Sequence, residues 1–320
     1  MTVRKVIFDT DPGVDDAMAL MFLARRPELE LIGVSTVLGN AGIEQVTRNA
    51  LFLRDRIGFD APVAQGSGVT LAGISGNEAL HVHGRNGLGD IAVPEGAAGP
   101  LDERRGHRMI IDLVRAHPHE VTIIAVGRLT NLARALEKDP EIARLVREVV
   151  VMGGAFGTHG HTGNVSPVAE ANLFGDPDAA DIVFTAPWPV TIVGLDVSQE
   201  VVMDEGFLRC LGESGGEDGR FLRDVSRFYQ EFHRRSRGLD GIFAHDSLAV
   251  AFAVRPELFT LRRGPVRVVS NGLAVGQSIQ KPEGAPFPPG GAWDAHPAQS
   301  VATGIDTSGF LRLYAETFIR

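Results

Sequence analysis

Apolar runs of five to eight residues alternate with amphipathic stretches along most of the chain. Residues 6–10 read as a buried strand, and a helix is predicted from Asp15 or Asp16 to Leu23, stopped by Arg25-Arg26-Pro27. A second strand is expected at 31–37 and a helix at 43–57, with Val46, Ala50, Leu51 and Leu53 on its apolar side. The same reading gives strands at 62–64, 121–126, 148–152, 190–195 and 266–269. It gives helices at 103–116, 131–138, from Asp176-Pro177-Asp178 to Phe184, from 243 onward, and at 309–319. Residues 204–240 look helical, interrupted by a loop at 212–219. Strands alternating with helices of this length predict an α/β chain with an open, mostly parallel sheet flanked by helices. Glycine-rich loops fill 66–100 and 153–164, and the proline- and glycine-bearing stretch 276–300 reads as a loop. No repeat, low-complexity tract or linker divides the sequence, so one domain over 1–320 is expected.

Composition narrows the partners. A 44% hydrophobic fraction is ample for a core, and a net charge of −9 argues against a nucleic-acid partner. The single cysteine, Cys210, excludes an internal disulfide and fits a reducing compartment. The first strand begins too early to leave room for a signal peptide, and no apolar run reaches the length of a membrane span, so a cytoplasmic protein is expected.

The candidate chemistry centres on Asp9-Thr10-Asp11-Pro12-Gly13-Val14-Asp15-Asp16-Ala17. A carboxylate at a helix start caps free N–H groups, which accounts for Asp15 or Asp16 but not for Asp9 and Asp11. Two carboxylates about 6 Å apart repel by roughly 3 kcal/mol at an effective dielectric of ~20. The cluster therefore implies a cation, and oxygen-only ligands point to calcium or magnesium rather than zinc. If ligands bind beyond the carboxyl ends of parallel strands, Asp9 to Asp16, Asn40, Val126-Gly127 and Met152-Gly153-Gly154 converge on one rim.

These residues resemble the DxDPGxDDA signature of the inosine-uridine-preferring nucleoside hydrolase family, and the likeness extends over nearly the whole chain. Thr36-Val37-Leu38-Gly39-Asn40, Leu129-Thr130-Asn131-Leu132-Ala133, Val151 to Gly154, Asn164 to Asn172 and His245-Asp246 are similar to further family motifs. The resemblance implies a Rossmann-like nucleoside hydrolase fold, one calcium ion, and hydrolysis of the N-glycosidic bond of ribonucleosides to base and ribose. By the same resemblance, Asp11, Asp16, Asp246 and the carbonyl of Val126 hold the calcium, with Asp11 also the general base on a calcium-bound water. Asp15, Asn40, Asn172 and Asp246 grip the ribose 2′- and 3′-hydroxyls, and Asn164 and Glu170 the 5′-hydroxyl. Met152 lies under the sugar, while His245 and His83 face the base. His245 is then the acid that assists the leaving base, as an imidazole of ordinary pKa near ~6.5. Relatives often form dimers or tetramers, so a homo-oligomer is expected. Two departures stand out: valine at 126 where relatives often carry threonine, and Ala171 where many carry an aromatic.

Plainer readings stand beside these. Asn40 after Gly39 suits a turn, Glu170 a surface charge, and His245 a helix cap. His81, His83, His159 and His161 suggest zinc only weakly without a cysteine partner. Arg234, Arg235 and Arg237 read as a solvated helix face. Two rival functions use the same residues: a phosphohydrolase of the haloacid dehalogenase type, which shares the Asp9-Thr10-Asp11 spacing, and a non-catalytic ribose or nucleoside binder.

Overall fold

The structure is a computed structural model describing residues 3–76, 78–94 and 99–319; residue 77 and residues 95–98 of the first glycine-rich loop lie outside the described residues. Twelve strands are described: β1 (Arg4–Thr10), β2 (Leu29–Thr36), β3 (Val63–Gln65), β4 (Val121–Ala125), β5 (Glu148–Met152), β6 (Val190–Val193), β7 (Val202–Asp204), β8 (Gly241–Phe243), β9 (Phe259–Gly264), β10 (Val266–Val268), β11 (Ser278–Gln280) and β12 (Gln299–Ile305). Eight of them form one sheet in the order β3-β2-β1-β4-β5-β6-β12-β9, parallel except for β9, while β7 pairs with β8 and β10 with β11. Strand order reverses between β1 and β4, which are neighbours in register from Lys5↔Val121 to Asp9↔Ala125.

Side-chain alternation along β1 explains the two cores. Val6 and Phe8 join the cluster that holds helices Val14–Ala24 and His245–Val254. Ile7 points the other way, to the cluster of helices Gly106–Ala116 and Thr130–Lys138. From Ala17 onward helix Val14–Ala24 is apolar all round, and it is buried along most of its length, as expected of a helix enclosed between the sheet and other helices.

Two expectations need correction. The loop read at 212–219 is only a break at Gly215, between helices Glu205–Ser214 and Gly216–Arg237. A Cβ on Gly219 would collide with the carbonyl of Leu211, so these glycines allow close helix approach rather than a loop. The stretch 276–300 is not all loop: it contains β11, helix Gly291–Asp294 and the start of β12. Buried Gln299 opens β12, accepting from the Val190 N–H and donating to the Phe184 carbonyl, so a polar residue stitches an inner strand to its neighbour. Among the described residues, no helix is long and apolar enough to cross a membrane.

Candidate active site

The cavity floor lies at the strand-order reversal, where open parallel sheets leave a crevice for ligands. Asp11 follows β1 and is wedged between Gly39 and Gly127, where any Cβ would strike its carboxylate. Its Oδ2 accepts from the Asn40 backbone N–H at 2.7 Å, while its buried Oδ1 has no hydrogen-bond partner among the described residues. Asp16, one turn into helix Val14–Ala24, accepts from Thr10 Oγ1 at 2.5 Å, Gly13 N–H at 2.9 Å and Asn40 Nδ2 at 2.9 Å. Asp15, Asp16 and Asp246 each offer an oxygen within 4.8 Å of the others. Asp9, the first acid of the motif, is elsewhere: alternation along β1 turns it toward Ser35 Oγ and Asn131 Nδ2.

The cavity, about 180 Å³, is lined by Asp15, Asn40, His83, Val126, Met152, Asn164, Glu170, Asn172, His245 and Asp246, all of them singled out in the sequence. Asp11 and Asp16 are buried beside it. Asn172 Nδ2 donates to the carbonyls of Val126 at 2.8 Å and Met152 at 3.2 Å, which leaves its Oδ1 as the acceptor. Glu170 is buried, not a surface charge; it caps helix Ala171–Gly175 by accepting from the N–H groups of Asn172 and Leu173, and also from that of Gly154. Asn164 Oδ1 accepts from the Ala171 N–H.

The opposite wall contains residues that the sequence reading missed. Tyr229, Phe232, His233 and Arg237 line the cavity from one helix, Gly216–Arg237. Tyr229 stacks on His83 with centroids 5.3 Å apart, and its hydroxyl donates to Asp15 Oδ2 at 3.4 Å. The spacing 229, 233, 237 was the available signal, since residues four apart share a helix face. The run of arginines hid it: Arg237 is exposed, yet its guanidinium lies over the Phe243 ring at 5.6 Å and borders the cavity. Ser198 was missed too; its Oγ lies 2.7 Å from His245 Nδ1.

Burial dominates the electrostatics. It pushes the Asp11 and Asp246 carboxyls well above the usual range; Asp16 adds to this at Asp11, and Asp15, Asp16 and Asp11 add to it at Asp246. Asp15 and Asp16 rise to about 6, both through burial, with Asp15 raising Asp16 further. Burial lowers His83 and His233 to about 4 and His245 to about 3, where His233 and Arg237 contribute as well. His245 is therefore held neutral, unlike the ordinary imidazole expected from the sequence. The crowded carboxylates, with Asp11 Oδ1 and Asp15 Oδ1 unpaired among the described residues, fit a hard divalent cation, because their oxygen-only donors otherwise repel in a dry site.

Residues 6–312 match the family described as inosine-uridine preferring nucleoside hydrolase. The chain is 40% identical over 309 residues to uridine nucleosidase 1 of Arabidopsis thaliana, covering 96% of this chain and 91% of that one. It is 39% identical over 280 residues to the inosine-uridine preferring nucleoside hydrolase of Leishmania major, covering 86% and 87%. Among solved structures, a plant nucleoside hydrolase superposes with a TM-score of 0.95 at 37% identity, over 99% of each chain. A purine-preferring ribonucleoside hydrolase from Gardnerella vaginalis gives 0.90 at 33%, over 98% of each. A parallel sheet with its acids at the strand-order reversal, matched from end to end in this way, places the chain in the inosine-uridine preferring nucleoside hydrolase family. It is a nucleoside N-ribohydrolase, and its substrates are small-molecule ribonucleosides. Neither rival reading is favoured. The family is metal-dependent, and Asp15, Asp16 and Asp246 form a cluster able to bind a metal.

Proposed function

We propose that the chain is a single calcium-dependent hydrolase domain that releases the base from uridine and inosine. The observation that carries this is the gathering of Asp11, Asp15, Asp16 and Asp246 at one cavity whose other walls offer amide oxygens and imidazoles. Asp11, Asp16, Asp246 and the Val126 carbonyl would hold the ion, and Asp15, with an oxygen within 4.8 Å of those of Asp16 and Asp246, is close enough to these two to join them. When bound, calcium lowers the pKa of a water and fixes its position.

Asp11 takes the proton of the attacking water through its unpaired Oδ1. Asp15, Asp246, and the Oδ1 atoms of Asn40 and Asn172 accept from the 2′- and 3′-hydroxyls; both amide nitrogens are already engaged, so the oxygens are what they offer. Asn164 and Glu170 hold the 5′-hydroxyl, and Met152 lies beneath the ring. As the sugar becomes oxocarbenium-like, these fixed carboxylates and dipoles stabilise its positive charge. His245, steadied by Ser198, and His83 face the departing base; as neutral rings they donate a hydrogen bond to it.

The test is release of free base and ribose from uridine in phosphate-free buffer, before and after chelation and with calcium restored. Cleavage that requires phosphate would make the enzyme a phosphorylase. Full activity after complete chelation would remove the metal.

A further inference from the structure

Asn49 sits in the middle of helix Ile43–Ile57, fully buried and outside the cavity lining. Its Nδ2 donates to two main-chain carbonyls, those of Pro12 and Asn86, each at 2.9 Å. Its Oδ1 accepts from Gln45 Nε2, one turn earlier on the same helix, which fixes the orientation of the amide. The two carbonyls belong to different parts of the site. Pro12 lies in the turn between Asp11 and Asp15, and Asn86 lies three residues after His83. The turn keeps its shape by other bonds: Asp16 accepts from the N–H groups of Asp11 and Gly13, and Asn40 Nδ2 donates to the Asp11 carbonyl. The loop is different, because its bonds run mostly within itself. Asp90 Oδ1 accepts from the N–H groups of Arg85 and Asn86, Asn86 Oδ1 accepts from those of Leu88 and Asp90, and Asn86 Nδ2 donates to the Ile91 carbonyl. The Gly89 N–H joins this unit to the His83 carbonyl at 2.8 Å. A segment bonded in this way moves as one body, so where Asn86 is held decides where His83 sits. Gly87 shows how closely the loop meets the helix: its φ is +78°, and a Cβ there would lie 2.9 Å from Asn49 Nδ2.

We propose that Asn49 is a positioning residue for the hydrolysis: its amide nitrogen docks the 85–91 loop on the acid turn and so sets His83 in register with the carboxylates. The inference rests on the reading that His83 faces the departing base. An amide nitrogen has two hydrogens, and here each goes to one of the two segments. A shift of the turn is therefore passed directly to the loop. The Val14 N–H bond to His83 Nδ1, at 3.2 Å, orients the ring but leaves the loop backbone to Asn49.

The test is the ratio of kcat/KM for uridine to that for 4-nitrophenyl riboside, whose leaving group departs without help. It is measured in His83→Ala, and in Asn49→Ala and Gly87→Ala, each alone and combined with His83→Ala. Both substrates use the same carboxylates and the ratio is internal to each preparation, so neither disturbed acids nor partial misfolding alters it. His83→Ala should lower the ratio by ~100-fold or more. Asn49→Ala should lower it by ~10–100-fold, the cost of displacing a group by about 1 Å. With His83 already replaced, Asn49→Ala should change it by less than ~3-fold, because residues acting through one contact do not add. Gly87→Ala pushes the loop off Asn49 while leaving the amide in place; it should act as Asn49→Ala does, and it carries the comparison if that variant fails to fold. A ratio unchanged in Asn49→Ala or Gly87→Ala, or lowered by the same factor with and without His83, overturns this inference alone. A ratio unchanged in His83→Ala overturns the reading of His83 and this inference with it.

Discussion

Asn40 binds Asp16 with its side chain, Nδ2 to Oδ2 at 2.9 Å, while its backbone N–H holds Asp11 Oδ2 at 2.7 Å. One residue after β2 thus orients acids on both sides of the turn that follows β1. Asn40→Ala keeps the backbone bond and loses the other, along with the oxygen proposed for a ribose hydroxyl. We expect kcat/KM for uridine to fall at least ~100-fold and the chelated protein to lose about 1–2 kcal/mol in urea unfolding. Wild-type values for both would show that Asn40 is only a turn residue.

Asp11→Asn separates function from stability. The substitution is isosteric, so it should fit between Gly39 and Gly127. It removes the proposed base and a metal ligand together, so kcat should fall by at least ~10³-fold. In chelated protein at pH 7 the same change removes a crowded carboxyl whose Oδ1 has no hydrogen-bond partner among the described residues, and the variant should be more stable by about 1–3 kcal/mol. Paired activity and denaturation measurements check both signs; retained activity within tenfold would move the base elsewhere.

The ribose assignments predict rejection of 2′-deoxyuridine. Asp15, Asn40 and Asn172 would be left facing a missing hydroxyl, and sites built to bond a hydroxyl discriminate by ~10⁴-fold or more. Equal kcat/KM for uridine and deoxyuridine would contradict those assignments.

His233 gives a pH signature independent of activity. Its pKa is lowered to about 4 by burial, then by Arg237 and His83, against an ordinary ~6.5 in the unfolded chain. Its stability contribution is therefore present above pH ~6.5 and is lost as pH falls toward 4. His233→Phe has no proton to exclude, so it should gain on wild type between pH 7 and 5, on the order of 1–2 kcal/mol. Urea midpoints at the two pH values decide it; a constant difference would mean that the ring is already hydrated.

The parallel strands β1, β2, β4 and β5 were legible because both faces are buried, which leaves unbroken apolar runs. β12 was not: it reads Gln-Ser-Val-Ala-Thr-Gly-Ile beside a proline- and glycine-rich stretch, and only its tertiary neighbours β6 and β9 make it an inner strand. At the site, the acids and asparagines were visible since they follow strand ends in sequence. Tyr229 and His233 come from the middle of a charged amphipathic helix, where four-residue spacing marks a shared face but does not say whether that face lines a cavity or a core. Asp9 errs the other way: it shares the motif but serves the packing between Ser35 and Asn131.

The start of helix Val14–Ala24 has one more effect. The Val14 N–H donates to His83 Nδ1 at 3.2 Å, and the ring is held neutral. A nitrogen that accepts cannot carry the proton, so a single tautomer of His83 is selected, with its hydrogen on Nε2. A free helix-start amide, normally spent on a cap or on water, here dictates what kind of atom the histidine tolerates as a ligand. His83 presents Nε2 as a donor and nothing else, so whatever part of the substrate meets it there must bring a lone pair.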